Sequence, residues 1–311
     1  MEGARLAFSR ALFLNNCHLM PTLTDWLQAA RPKTLGAAIA PVFVGFFLGA
    51  RLCGSDVDWR LLAFTIASTM ALQIATNLFN DALDFRQGKD TAARVGPRRI
   101  TAAGVVSAES VMLAGFMMLG LATALSVPLI AARGLPIVII GIPALYFCYG
   151  YTGGPVPLAY RGLGELFVIL FFGFVAVMGS AYVQCGEWLV GAIVAGLQIG
   201  CLSTVLIAVN NLRDIEEDRS TGKRTLAVRM GKTLARCEIT VLILAPQALG
   251  YYWWQTGLDQ ASTLPLTVLP LGLFLLFRLW TTAPGPGYNR LLAMGGAQLV
   301  LFALLFCAAL G

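Results

Sequence analysis

Residues 60–90 read RLLAFTIASTMALQIATNLFNDALDFRQGKD. The first two-thirds is an apolar run of about 20 residues, the length a helix needs to cross a bilayer. The run then ends in Asn77, Asn80, Asp81 and Asp84, with Asp90 beyond Gly88. Asp81 and Asp84 are three apart, so a helix sets them on one face. Gly88 offers a turn that brings Asp90 back towards them. Carboxylates at the end of a membrane helix are costly unless something compensates them.

The same pattern recurs further along the chain. An apolar run over 188–210 ends in Asn210-Asn211-Leu-Arg213-Asp214-Ile-Glu-Glu-Asp218-Arg219. Asp214 and Asp218 are four apart and also share a helix face. Scanning outward gives nine apolar stretches: 34–51, 60–80, 107–131, 135–152, 163–184, 188–210, 235–255, 262–281 and 290–310. The composition agrees with these spans. Of the 311 residues 58% are hydrophobic and 12% charged, against roughly 25% charged in soluble domains, and the mean hydropathy is +0.75. The expectation is an all-α polytopic membrane protein of about nine transmembrane helices. Residues 25–311 would form one transmembrane domain behind a poorly ordered tail, 1–24, in which Met20 is a second candidate start. Arg10 interrupts the apolar stretch 6–14, and no cleavage site follows, so the tail does not read as a signal peptide.

If the N-terminus and the loops after the even-numbered spans share one side, that side holds all of the 22 basic residues except Arg51, Arg60 and Arg133. The bias marks that side as cytoplasmic, in a bacterial plasma membrane. Both acidic clusters follow even-numbered spans and so open at the same cytoplasmic mouth. The net charge of +6 then suits anionic headgroups and a polyanionic substrate, without nucleic acid. The seven cysteines are scattered with no CxxC pair, so neither a disulfide framework nor a zinc site is expected. His18 is the only histidine, which removes Ser-His-Asp and His-metal chemistry. The aromatic run Tyr251, Tyr252, Trp253 and Trp254 reads as an interfacial belt. Gly45, Gly173 and Gly179 read as close-packing positions between helices.

Two sets of hard oxygen ligands facing each other suit Mg²⁺, which bridges a few carboxylates to substrate phosphates. Arg94, Arg98, Arg99, Arg219, Lys223 and Arg224 flank the clusters, and cations there offset charge on a leaving diphosphate. One cluster alone would pass for a polar helix end at an interface; two on one face point to a site. A transporter also uses intramembrane carboxylates, but it needs polar residues in both halves of its pathway. Here the opposite half is almost free of charge.

At these residues the chain resembles the UbiA superfamily of membrane prenyltransferases, which carry NDxxDxxx(x)xD after the second helix and DxxxD after the sixth. The matching positions are Asn80, Asp81, Asp84 and Asp90, then Asp214 and Asp218. Flanking stretches are most similar to the branch that prenylates 1,4-dihydroxy-2-naphthoate. They are ARPKTL at 30–35, DFRQGKDT at 84–91 with its longer spacing, YTGGP at 151–155, YRGLGEL at 160–166, NNLRD at 210–214 and GKRTLAVR at 222–229. The 4-hydroxybenzoate branch has a shorter first motif.

The resemblance implies transfer of a polyprenyl chain from an all-trans polyprenyl diphosphate to 1,4-dihydroxy-2-naphthoate, with loss of CO2 and diphosphate, giving demethylmenaquinol. It implies Mg²⁺ on Asp81, Asp84, Asp214 and Asp218, with Asp90 a further ligand. It implies diphosphate contacts from Asn80, Arg94, Arg98, Asn211, Lys223 and Arg224. Arg31, Lys33, Tyr149, Tyr151 and Glu165 are candidates for the acceptor, Arg31 and Lys33 also for the diphosphate, and Glu165 also for an ion pair with Arg161. Prenyl chain length and oligomeric state stay open.

Overall fold

The computed structural model describes residues 21–89, 99–155 and 157–311. Asp90, Arg94 and Arg98 lie outside the described residues, as does the Lys33 side chain. Everything described is helix or connection; among the described residues there is no strand. A bilayer core offers backbone groups no water, so each span must satisfy its own hydrogen bonds as a helix.

The helices are α1 (Leu23–Ala30), α2 (Pro32–Cys53), α3 (Trp59–Arg86), α4 (Ala108–Arg133), α5 (Leu135–Gly150), α6 (Gly164–Cys185), α7 (Val190–Arg213), α8 (Ile215–Ser220), α9 (Leu226–Leu249), α10 (Tyr251–Gln255), α11 (Asp259–Leu266), α12 (Leu269–Thr281) and α13 (Tyr288–Leu310). Thr22 caps α1 in a reciprocal capping box with Asp25. Arg31 then takes a left-handed conformation (φ 54°) that turns the chain into α2, with Pro32 at the first helical position.

Six helices among the described residues are long and apolar enough to cross a membrane: α2, α3, α4, α6, α7 and α13. The pair α11 and α12, bent by 40°, makes up to seven. The expected spans at 135–152 and 235–255 are helical but differ in kind. Helix α5 has only 16 residues, and α9 carries Arg229, Lys232, Arg236 and Glu238 and breaks at Gly231 (φ 82°, ψ 169°).

Helix α7 is buried along most of its length and packs against α2, α6, α9 and α13. Small residues let it approach α6: a Cβ on Gly173 would lie 2.4 Å from the Gly196 carbonyl oxygen and 3.0 Å from Gly200 Cα. Gly173 sits in a π-helical stretch, Ile169–Met178. Gly45 plays the same part between α2 and α6, its Cβ meeting Val177 O at 2.4 Å. Gly179 is looser; its nearest neighbour is the end of Ile140 at 3.0 Å.

Two expectations are corrected here. Cys53 and Cys185, the last residues of α2 and α6, are joined by a disulfide with Cα atoms 6.2 Å apart. They are 132 residues apart, so spacing carries no sign of the pairing. Gln184 beside it donates to Ser55 Oγ (3.2 Å) and Asp56 O (2.8 Å) and accepts from the Asp58 N–H (2.9 Å). The aromatic run is not all belt, because Trp253 is 1% exposed. Its indole N–H donates to Gln198 Oε1 at 2.8 Å, while Gln198 donates to Pro246 O at 2.7 Å. Tyr251 and Trp254 do face outward.

Candidate active site

Helix α3 runs beyond its apolar length and carries the first cluster inward on its last turns, where Asp81 and Asp84 are 2% and 3% exposed. Gly88 (φ +64°) ends the helix, and the Lys89 N–H returns to Asp84 O at 2.9 Å. Asp84 accepts from Arg99 Nη2 at 2.7 Å and from the Tyr160 hydroxyl at 2.5 Å. Asp81 faces the loop that follows. Its carboxylate accepts from the N–H groups of Ile100 and Thr101, both at 3.1 Å, and from the Thr101 hydroxyl. Both Asp81 oxygens are therefore engaged in holding that loop against α3. Asn80 accepts from Thr152, and Asn77 donates to Ala30 O (2.9 Å) and Thr34 Oγ1 (3.1 Å). Asn77 thus fastens the α1–α2 joint, with Arg31 in it, beside the cluster.

The second cluster is built at a break. Helix α7 ends at Arg213, and Asp214 leaves helical geometry (φ −95°, ψ 11°) before α8 begins. The Asp218 N–H still reaches Asp214 O at 2.8 Å, preserving the four-residue spacing. Arg213 is 4% exposed and grips Asp214 with two bonds of 2.7 and 2.6 Å. The same guanidinium donates to Asn210 and to Asn289 on α13, both at 2.7 Å. Asp218, 7% exposed, makes no ion pair among the described residues and accepts from Thr225 Oγ1 at 3.4 Å. Burial pushes its carboxyl up to about 6; Lys223 opposes the rise, and the negative charges of Asp214 and Glu217 add to it.

Tyr160 joins the clusters. It ends the short turn Leu158–Tyr160. Its hydroxyl is on Asp84, and its carbonyl accepts the Arg224 N–H at 3.2 Å. Its ring lies 5.9 Å from Lys89 Nζ and 5.5 Å from Lys223 Nζ. Lys89 in turn donates to Thr221 O, just past α8. Gly162 permits the close approach: at φ +67°, its Cβ would meet Arg224 O and the Arg229 side chain at 3.1 Å. The two acidic clusters are therefore linked through Tyr160 and Lys89, with Arg99 on Asp84 and Lys223 near Asp218. Tyr160, Lys89 and Arg213 were not assigned roles from sequence; the YRGLGEL stretch around Tyr160 was the available signal.

The expected acceptor residues divide. Glu165, 4% exposed, accepts from Asn211 Nδ2 at 2.7 Å and makes no ion pair with Arg161 among the described residues. Its Oε2 is buried with no hydrogen-bond partner. Tyr151 lies between, close enough to feel the charges of both Glu165 and Asp84, with its hydroxyl against Gly164. Tyr149 instead packs with Phe79 and Phe116, ring centroids 5.6 and 6.3 Å away. Among the described residues no three His, Cys, Asp or Glu side chains converge closely enough to hold a metal alone. The donor chemistry still suits Mg²⁺: hard carboxylates, with Asp218 making no ion pair among the described residues.

The sequence profile of the UbiA prenyltransferase family matches residues 38–287. A 1,4-dihydroxy-2-naphthoate octaprenyltransferase of Mycobacterium leprae is 33% identical over 300 residues, covering 94% of this chain and 97% of that one. The enzyme of the same description from Haemophilus influenzae is 34% identical over 262 residues, covering 81% and 83%. The fold is similar to that of a UbiA homologue from Archaeoglobus fulgidus solved with GPP and Mg²⁺. The TM-score is 0.64 at 17% identity, over 92% of this chain and 99% of the other.

Proposed function

The chain belongs to the UbiA prenyltransferase family, and from that membership and the joined aspartate clusters we infer the reaction. It transfers a polyprenyl group from an all-trans polyprenyl diphosphate to 1,4-dihydroxy-2-naphthoate, a step of menaquinone biosynthesis. The new carbon–carbon bond forms at the ring carbon bearing the carboxylate. CO2 leaves as aromaticity returns, and diphosphate is released, giving demethylmenaquinol. The observation that carries this reading is the single Asp84–Tyr160–Lys223–Asp218 mouth in a chain so similar to naphthoate octaprenyltransferases.

Asp84, Asp214 and Asp218 would hold Mg²⁺, with Asp81 behind them anchoring the loop and Asp90 a further ligand. Bound there, the ion supplies positive charge to the departing diphosphate. Lys89, Arg99, Lys223 and Arg224 add donors around the same oxygens, joined by Arg94 and Arg98, while Asn80 orients the first cluster. Glu165, held by Asn211, leaves Oε2 to accept a hydrogen bond from an acceptor hydroxyl, which enriches the ring for attack. Tyr151 stands between acceptor and donor, and Arg31 and Lys33 are further candidates for the naphthoate carboxylate. The apolar interior keeps water from the reactive prenyl carbon.

The chain is an integral membrane protein. We further read α5 and α9 as crossing with the other spans, nine in all, and the mouth as cytoplasmic in a bacterial plasma membrane. The basic-residue bias supports this, as does a disulfide at the opposite end, where an oxidising compartment keeps such bonds. Purified protein with a polyprenyl diphosphate, Mg²⁺ and dihydroxynaphthoate should release CO2 and prenylated product. Turnover of 4-hydroxybenzoate in place of the naphthoate would overturn the acceptor assignment.

A further inference from the structure

Beside the mouth, on the outer face of the bundle, α12 and α13 enclose a cavity of about 260 Å³. It is lined by the apolar Phe274, Leu291 and Met294, Phe274 itself being exposed, and by Arg278 and Arg290. The walls are fixed. Tyr288, fully buried, donates to Leu279 O and Thr282 O (both 3.3 Å) across the α12–α13 turn. Arg236 donates to Thr282 O at 2.9 Å and lies over the Trp280 ring at 5.8 Å. Arg278 and Arg290 are exposed and make no ion pair among the described residues. A largely apolar hollow beside two guanidinium groups that make no ion pair among the described residues suits an amphiphile with one anionic head.

We propose that this cavity binds one anionic phospholipid, its phosphate on Arg278 and Arg290 and its acyl chain over Phe274 and Met294. Arginine suits phosphate because its fork presents paired donors to paired oxygens. The donor diphosphate does not fit: no carboxylate lines the cavity, so nothing there could hold the Mg²⁺ that offsets its charge. The site adjoins the mouth: Asn289, next to Arg290, accepts from the Arg213 that grips Asp214.

The test is competitive lipid retention by native mass spectrometry of detergent-purified full-length protein, with phosphatidylglycerol and phosphatidylcholine in equal amounts. Wild type should keep one phosphatidylglycerol over phosphatidylcholine by about thirtyfold, the preference expected when two arginines face a headgroup of net negative charge and not one whose choline cancels its phosphate. The Arg278→Gln/Arg290→Gln double variant should fall to near equality. Equal retention in wild type, or an unchanged preference in the variant, overturns the proposal. So does displacement of the lipid by farnesyl diphosphate, which would mark a donor site. As a second readout, phosphatidylglycerol nanodiscs should raise the wild-type Tm above phosphatidylcholine nanodiscs, and no difference counts against the site.

Discussion

Lowering the pH should loosen the grip of the site on its metal, and Asp218 sets the range. An aspartate ordinarily titrates near 3.9; burial lifts Asp218 to about 6. Between those values the apo site holds a proton that a cation must displace. The half-saturating metal concentration scales as 1 + 10^(pKa − pH), which is about 1.1 at pH 7 and about 11 at pH 5 for this carboxyl, while an ordinary aspartate changes it by only about a tenth. Metal affinity should therefore weaken about tenfold across that window. Mn²⁺ binding to diphosphate-free protein, followed by electron paramagnetic resonance, isolates the effect from titration of the substrate. A flat profile down to pH 5 would refute the link between burial of Asp218 and metal affinity. An Asp218→Asn variant should bind weakly at every pH and lose the slope.

Tyr160→Phe keeps the ring between the two lysines and removes only the hydroxyl on Asp84. A hydrogen bond to a charged group contributes about 2 kcal/mol, so kcat/KM should drop about thirtyfold. Glu165→Gln retains a group for Asn211 but removes the anion; KM for the naphthoate should rise with KM for the prenyl diphosphate unchanged. Gly173→Ala drives a methyl into the Gly196 carbonyl, and overpacking of about 2 kcal/mol should appear as a lower Tm in detergent. After reduction, a membrane-impermeant maleimide should label Cys53 and Cys185 on intact cells; labelling only after lysis would reverse the orientation.

The apolar run 60–80 was legible as α3, and the Asn and Asp residues after it as a site, because lipid allows a span little besides helix and charges a high cost for stray carboxylates. What could not be read was contact at a distance. Tyr160 is 76 residues from Asp84, and nothing in either segment announces the bond. Arg213 counted towards the positive side of the membrane, whereas buried beside Asp214 it is part of the site. Trp253 sits in a run of surface-type aromatics, yet Gln198 gives its indole N–H a partner and draws it inside. The break at Asp214 is equally silent, since residues 210–220 carry no Gly or Pro to announce it.

The disulfide has a mechanical consequence. At one end of the bundle α2 and α6 are riveted covalently and laced by Gln184 to the Ser55–Asp58 turn. At the other, α8 follows α7 at a broken turn, and among the described residues its surroundings are tied to the end of α3 by polar contacts: Lys89 on Thr221 O, and Tyr160 between Asp84 and Lys223. Polar contacts can be traded for contacts to a substrate; a covalent rivet cannot. Rearrangement on substrate binding is therefore expected at the mouth, while the Cys53–Cys185 end of α2 and α6 keeps its spacing.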